Sequence, residues 1–287
     1  MLFGILQYVT MDKNLLHTMI RHFLAEDIDR GDLTSESIFQ SGEQGSAGLV
    51  ARERFVAAGV ESVAAEVFKV QNREIVCESP VCDGTVVEFG SVLLTVRGPV
   101  VDLLKAERVA LNLLQRLSGI ATLTADFVAK VKKYPARIVD TRKTTPGLRL
   151  LEKYAVRVGG GKNHRYNLAD GVLIKDNHIA ACGSLRAAVE RVRKNVPHTI
   201  RIEVETDTLA QVDECLACGV DIIMLDNMSA VTMSEAVKKI AGRALVEASG
   251  GVSLADVESI AQSGVDIISI GALTHSAPSC DIGMDWS

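Results

Sequence analysis

Between Arg137 and Arg165 stand eight cations, Arg137, Arg142, Lys143, Arg149, Lys153, Arg157, Lys162 and Arg165, against two acids, Asp140 and Glu152. The segment carries +6 in 29 residues of a chain whose net charge is −5, which leaves −11 on the other 258 residues. A solvated helix face interleaves both signs. Here the cations adjoin residues that order a tight backbone: Pro146, Gly147 and the run Gly159, Gly160, Gly161. A cluster of this kind is built to hold small, highly charged anions.

Downstream, short apolar runs each end in polar residues, and the polar types follow an order. Asp140, Thr141, Arg142 and Lys143 come first, then Lys175, Asp176 and Asn177, then Glu205, Asp226, Glu247 and Ser249, and finally Gly271. Any strand leaving a core ends in polar residues, which explains some of these positions. It does not explain why early runs offer cations, middle runs carboxylates and late runs Gly and Ser. Arg gives carboxylates a planar two-point grip that Lys cannot, and His164 adds a further donor. Glu205 and Asp226 would share a hard divalent ion such as Mg²⁺, bound largely through water and substrate oxygens. Ser249, Gly250, Gly251 and Gly271 let backbone N–H groups approach a phosphate with no Cβ in the way. Together these residues describe a pocket for an anionic substrate, a metal and a phosphate.

The elements that must position them are read from periodicity. Residues 12–25 space Leu15, Leu16, Met19, Ile20 and Phe23 as one helical face, on which His17 and His22 are surface or packing residues. The following acidic stretch, Glu26 to Phe39, is read as a structured loop in preference to an acidic metal site. From Gly48 to Gly98 short β-branched runs punctuated by Gly and Pro enclose one helical stretch, Val60 to Val70, and predict a small α/β domain with an antiparallel sheet. Val101 to Tyr134 is strongly helical, with Ser118-Gly119 expected to break it into two helices. Seven apolar runs then follow: RIVDTRK, AVRVGGG, GVLIKDN, IRIEVET, DIIMLDN, ALVEASGG and DIISIGA. Glu205 to Asp226 is 21 residues, Asp226 to Glu247 another 21, and Glu247 to Ser269 22, the length of one strand, one helix and two loops. CGVDIIML and SGVDIISI repeat the same helix-to-strand turn. Seven parallel strands alternating with helices predict an α/β barrel, closed or one strand short of eight, with a doubly wound sheet as the alternative. In such barrels the site lies at the carboxyl ends of the strands.

At 287 residues the chain suits one large domain and a smaller one, and 47% hydrophobic with 23% charged residues is ordinary globular composition. An acidic chain with 4% aromatic residues argues against a nucleic-acid partner, which needs surplus spread cations and stacking platforms. No membrane span is expected. MLFGILQYVT lacks a basic n-region and a cleavage site, so no signal peptide is expected and the cytosol is the default compartment. Six scattered cysteines are read as free thiols, and the lone Cys215-x-x-Cys218 as core packing rather than a redox or zinc pair.

The motif DTRKTTPGLRLLEKYAVRVGGGKNHRYNLADGVLIKDNHI, preceded by AERVALNLLQRLSGIAT and followed by EVET, LDN and EASGG, closely resembles the quinolinate phosphoribosyltransferases, from about Glu26 to Ala272. The resemblance implies transfer of phosphoribose from phosphoribosyl pyrophosphate to quinolinate with loss of CO₂ and pyrophosphate, using Mg²⁺, to give nicotinate mononucleotide for NAD synthesis. It also implies an N-terminal α/β sandwich, residues 1–117 with the tail 274–287 packed on it. A seven-stranded open α/β barrel of the type II phosphoribosyltransferases would follow, residues 118–273. Arg142, His164 and Arg165 would hold the quinolinate carboxylates, and Arg108 would complete the site of a neighbouring subunit in a homodimer or larger assembly. Lys143 and Lys175 would contact donor or substrate, with Thr144 nearby. Glu205 and Asp226 match the ribose and metal carboxylates, and Ser249, Gly250, Gly251 and Gly271 match the phosphate loops. Val158 stands where many relatives carry Thr, and a neutral exchange is expected there.

Two other readings remain open at this level. A transferase of the same fold would act on another anionic ring, as does the paralogue associated with molybdenum-transport operons. A non-catalytic anion-binding protein would bind without turnover. Arg108, Arg142, His164 and Arg165 together favour a dicarboxylate, and Lys143, Glu205 and Asp226 favour catalysis.

Overall fold

The computed structural model describes residues 11–40 and 42–287. The opening ten residues, on which the expectation of no signal peptide rests, lie outside them. Among the described residues no helix is long and apolar enough to cross a membrane. The chain divides into two compact units, one of Met1–Leu123, Leu150–Gly159 and Ala277–Ser287 and the other of Thr124–Arg149 and Gly160–Ser276.

In the first unit, Asp12 caps helix α1 (Lys13–Ile28) by accepting the Leu15 N–H at 2.8 Å. The helix buries Leu16, Ile20 and Leu24, one residue per turn, while Leu15 is left outside. The stretch expected as a loop is largely helical. α1 runs on to Ile28, and Asp32 caps α2 (Leu33–Ile38) by accepting the N–H groups of Thr34 and Ser35, both at 3.0 Å. Its acids serve as caps and turn formers.

The sheet is built on β1 (Gln44–Ala51), with β2 (Phe55–Val56), β3 (Val76–Glu78), β4 (Val86–Val87) and β5 (Val92–Pro99) following. β1 lies antiparallel between β5 and the C-terminal strand Ile282–Trp286, β3 flanks β5, and β2 pairs with β4. Ala47, Leu49 and Ala51 are buried, as period-two alternation requires of a strand with a covered face. A π-helical turn at Val60–Ala64 leads into α3 (Ala65–Gln71), and both press apolar residues on the same core.

Helix α4 (Val100–Val131) is continuous, contrary to the expected break at Ser118-Gly119. Both small residues serve close packing. The Ser118 hydroxyl accepts the buried N–H of Ala58 at 3.2 Å, and a Cβ on Gly119 would lie 1.8 Å from the Pro278 carbonyl oxygen. Gly119→Ala is therefore expected to lower stability by about 1–3 kcal/mol, the scale of overpacking, read as a lowered Tm.

The run AVRVGGG is not a strand. Its AVRV closes α5 (Arg149–Val158), whose Leu151, Tyr154, Ala155 and Val158 recur at helical intervals and are buried, and the glycines follow as a turn. The fully buried Glu152 is held there by Arg116 at 3.0 Å.

In the second unit, β6 (Arg137–Val139), β7 (Val172–Ile174), β8 (Ile202–Thr206), β9 (Ile222–Asp226), β10 (Leu245–Ser249) and β11 (Ile267–Ser269) form a parallel sheet ordered β6-β11-β10-β9-β8-β7. Six strands thus replace the expected seven. The seventh position survives as a single parallel bridge from Val139 to Lys162. Helices α6 (Asp176–Cys182), α7 (Leu185–Asn195), α8 (Leu209–Cys218), α9 (Ala230–Ile240), α10 (Val257–Gln262) and α11 (Ala272–His275) fill the connections. Ser184, Thr208 and Ser229 cap three of them. The repeated Gly-Val-Asp turns share one function: Asp221 accepts the Ile202 N–H and Asp266 the Val246 N–H, each at 2.8 Å, tying the start of each strand to its neighbour. Cys215 and Cys218 are buried on α8, and burial pushes the Cys215 thiol up to about 12, as befits core packing.

Candidate active site

Parallel strands place all their carboxyl ends on one side, and there the second unit has a cavity of about 350 Å³. Arg142, Lys143, His164, Arg165, Lys175, Glu205, Asp226 and Ser249 all line it, together with Thr141, Leu173, Met224, Glu247 and Ser269. The register explains the carboxylate end: Ser249 lies opposite Asp226, and Glu205 opposite Met224 two positions before it.

The cationic wall is fixed from beneath. Asp140, fully buried at the end of β6, accepts the His164 N–H at 2.9 Å and the Asn163 amide at 2.6 Å. These bonds hold the segment after Lys162 against the strand. The Arg142 Nε is buried without a hydrogen-bond partner. Burial first, and then the adjacent Arg142 charge, hold the Arg165 guanidinium below its usual range, while its Nη1 donates to the Gly171 carbonyl at 2.9 Å. Two crowded cations, one with an unused buried donor, form a receptor for an anion.

Lys143 is held by its main chain. Its N–H donates to the Thr141 hydroxyl at 3.0 Å, and its carbonyl accepts the Thr274 hydroxyl at 2.7 Å. Its aliphatic stem lies against Gly271, where a Cβ would come 2.9 Å from Lys143 Cδ. Gly271 has a right-handed helical backbone, which Ala adopts freely. Gly271→Ala is therefore expected to keep the fold and its Tm while displacing Lys143. The expected readout is a rise of about threefold to tenfold in the KM of the ligand that Lys143 meets, the scale of a ~1 kcal/mol misplacement.

Lys175 pairs with Glu205 at 3.0 Å, and Asp226 accepts the Asn227 amide at 2.6 Å. Asn227 has φ +54° and donates its N–H to the Ser249 carbonyl at 3.0 Å. Gly250, at φ +98°, packs against it so closely that a Cβ would lie 2.7 Å from the Asn227 nitrogen, whereas Gly251 opens on free space. Only glycine fits the first position, on both counts.

His164 has both ring nitrogens engaged. Nδ1 accepts the Arg165 N–H at 2.8 Å, and Nε2 faces Glu203 at 3.3 Å and Glu247 at 3.6 Å. Burial, and then the Glu203 charge, push the Glu247 carboxyl up to about 8.

Five residues named from sequence are not among those that line the cavity: Gly250, Gly251 and Gly271, described above, and Thr144 and Arg108. The Thr144 hydroxyl accepts the Arg149 Nε at 2.9 Å, and Thr141 takes a place in the lining. Arg108 is exposed on α4 and does not line this cavity. Sequence reasoning passed over Glu203 and gave no role to Glu247, Ser269, Leu173 or Met224. A signal for Glu203 was present: in Glu203-Val204-Glu205 strand alternation turns both carboxylates to one face.

Comparison with known proteins matches both parts of the chain. Residues 32–118 fit the model of the quinolinate phosphoribosyl transferase N-terminal domain, and residues 120–285 that of its C-terminal domain. A probable nicotinate-nucleotide pyrophosphorylase (carboxylating) of Bacillus subtilis is 46% identical over 94% of this chain and 93% of its own. The nicotinate-nucleotide pyrophosphorylase (carboxylating) of Mycobacterium leprae is 45% identical over 93% and 95%. The crystal structure of NadC from Streptococcus pyogenes superposes with a TM-score of 0.91 at 41% identity, over 96% of this chain and 99% of that one.

Proposed function

The chain belongs to the quinolinate phosphoribosyltransferase family, and from that premise we propose which of its residues carry the reaction. The enzyme converts quinolinate and phosphoribosyl pyrophosphate to nicotinate mononucleotide, pyrophosphate and CO₂, a step of NAD biosynthesis. The observation that carries the site assignment is the buried, unpartnered Arg142 Nε beside Arg165 in a cavity whose other wall holds carboxylates.

Arg142, His164 and Arg165 hold the two quinolinate carboxylates. Lys143 and Lys175 meet the donor and the substrate. Both ligands are polyanions, so a neutral pocket would oppose bringing them together; clustered cations remove that repulsion and aim the ring nitrogen at the anomeric carbon. Ser249, Gly250, Gly251 and Gly271 receive the 5′-phosphate on main-chain N–H groups. Glu205 and Asp226, on adjacent strand ends, face the ribose hydroxyls, and as two hard oxygen donors they also suit Mg²⁺. When bound, that ion neutralises charge on the pyrophosphate.

The C1–O bond to pyrophosphate breaks with its electron pair leaving on pyrophosphate, and the ring nitrogen lone pair forms the new bond to C1. The resulting pyridinium takes up the electrons released when the 2-carboxylate departs as CO₂, and C2 then gains a proton. No side chain is required as a general base. The protein supplies position and field, and the substrate supplies the electron sink.

Arg108 completes the site of a neighbouring subunit in a homodimer or larger assembly. The six cysteines, all free, accord with a reducing, cytosolic compartment. The test is release of CO₂ from 2-carboxyl-labelled quinolinate with phosphoribosyl pyrophosphate and Mg²⁺, against a nicotinate control. Donor-dependent release with nicotinate inert is expected. No release from folded protein would sink the assignment in favour of a different ring substrate or binding alone.

A further inference from the structure

Directly behind the cationic wall lie two acids that the mechanism above does not use. Glu203 and Glu247 are 4% and 1% exposed. Filling that space does not require them, since apolar side chains of similar volume serve a core as well or better than buried charges. Among the described residues the Oε1 of each has no hydrogen-bond partner, and His164 Nε2 is faced by Glu203 Oε2 at 3.3 Å and by Glu247 Oε1 at 3.6 Å.

The tautomer of His164 follows from its other nitrogen. Nδ1 accepts the Arg165 N–H at 2.8 Å, so the ring proton sits on Nε2 and points at the two carboxyl groups. His164, Glu203 and Glu247 lie close enough to hold a metal ion, with donor atoms within 4.8 Å of one another. An ion there would need the lone pair that already carries this proton. The cluster is therefore a proton-holding one.

We propose that Glu203 and Glu247 are positioning residues for substrate binding: Glu203 Oε2 faces His164 Nε2–H at 3.3 Å, Glu247 stands beside it at 3.6 Å, and the imidazole they hold fixes the main chain of Arg165 through Nδ1. The pair acts on quinolinate affinity through His164 and Arg165, much as outer partners orient a ligating histidine; Glu203 lies outside the cavity lining and Glu247 within it. The proposal rests on the reading that Arg142, His164 and Arg165 hold the carboxylates.

Glu203→Leu and Glu247→Leu fill the space but remove the acceptor, whereas Glu203→Gln and Glu247→Gln keep an acceptor oxygen. The Leu variants are expected to raise the quinolinate KM about tenfold or more, with kcat and the donor KM within about threefold of the parent. The Gln variants are expected to stay within about threefold throughout. Placed on a His164→Ala background, the Leu changes are expected to add little, because the residue they act through is gone. Glu203→Met and Glu247→Met replace any Leu variant that does not fold.

Apolar variants with the parental quinolinate KM would overturn the proposal, as would an undiminished effect on the His164→Ala background or Gln variants as impaired as Leu. If His164→Ala and Arg165→Ala both leave the quinolinate KM unchanged, the site assignment itself fails and the proposal with it.

Discussion

Arg142→Ala is expected to lower kcat/KM for quinolinate by about 10²- to 10³-fold, the effect of removing one partner from a desolvated, charge-assisted pair worth roughly 2–5 kcal/mol. The Nε of Arg142 is buried and has no hydrogen-bond partner among the described residues, which leaves it available to a bound anion. Its neighbour Arg165 is already held below the usual guanidinium range by burial and by the Arg142 charge. Two cations side by side disfavour each other's charge, and a carboxylate bound between them would relieve that repulsion. The loss is expected mainly in the quinolinate KM, with the KM for phosphoribosyl pyrophosphate within about threefold. Arg142→Lys is expected to recover little, because a point charge lacks the planar fork that a carboxylate meets at two points. Initial rates over a quinolinate series at saturating donor measure both. A quinolinate KM unchanged in Arg142→Ala would remove Arg142 from the substrate site.

How far the site could be read from the residues depended on what fixed each one. Glu205, Asp226 and Ser249 stand at the ends of strands buried on both faces, and a 21-residue rhythm of strand, helix and loops was enough to align them. The Lys143–Arg165 cations were legible as a charge anomaly. AVRV was not, because four alternating residues satisfy a strand and a helix equally; only Leu151 and Tyr154, upstream of the run, complete the helical interval. Ser118-Gly119 carries the composition of a break, yet Gly119 is small because the Pro278 carbonyl leaves no room for a Cβ, a contact from 159 residues away that no local window contains. Glu203 is the instructive omission. Alternation puts it on the face of Glu205, but nothing local shows that His164 is its partner across the fold. The residues proposed to touch ligand are announced by type, whereas those that hold them in place depend on tertiary contacts.

Chains carrying Arg108→Ala and chains carrying Lys143→Ala are each expected to be nearly inactive, and mixing them is expected to restore about a quarter of wild-type activity. Arg108 lies exposed on α4 and does not line the cavity of its own second unit, yet the family reading assigns it to quinolinate. A solvated cation on a helix has no such role unless another copy of the chain brings a site to it, and a two-fold assembly would do so for both copies at once. Lys143 belongs to the cavity of its own chain. In a mixed dimer one site therefore loses both residues and the other keeps both. With equal amounts and free exchange about half the dimers are mixed, each with one intact site of two, hence about a quarter of the parental sites. Subunit exchange is verified with differently tagged chains, and activity is read as labelled CO₂. Recovery that scales with the mixed fraction supports the shared site. If exchange is complete and nothing returns, Arg108 acts within its own chain, and the site does not need a second copy.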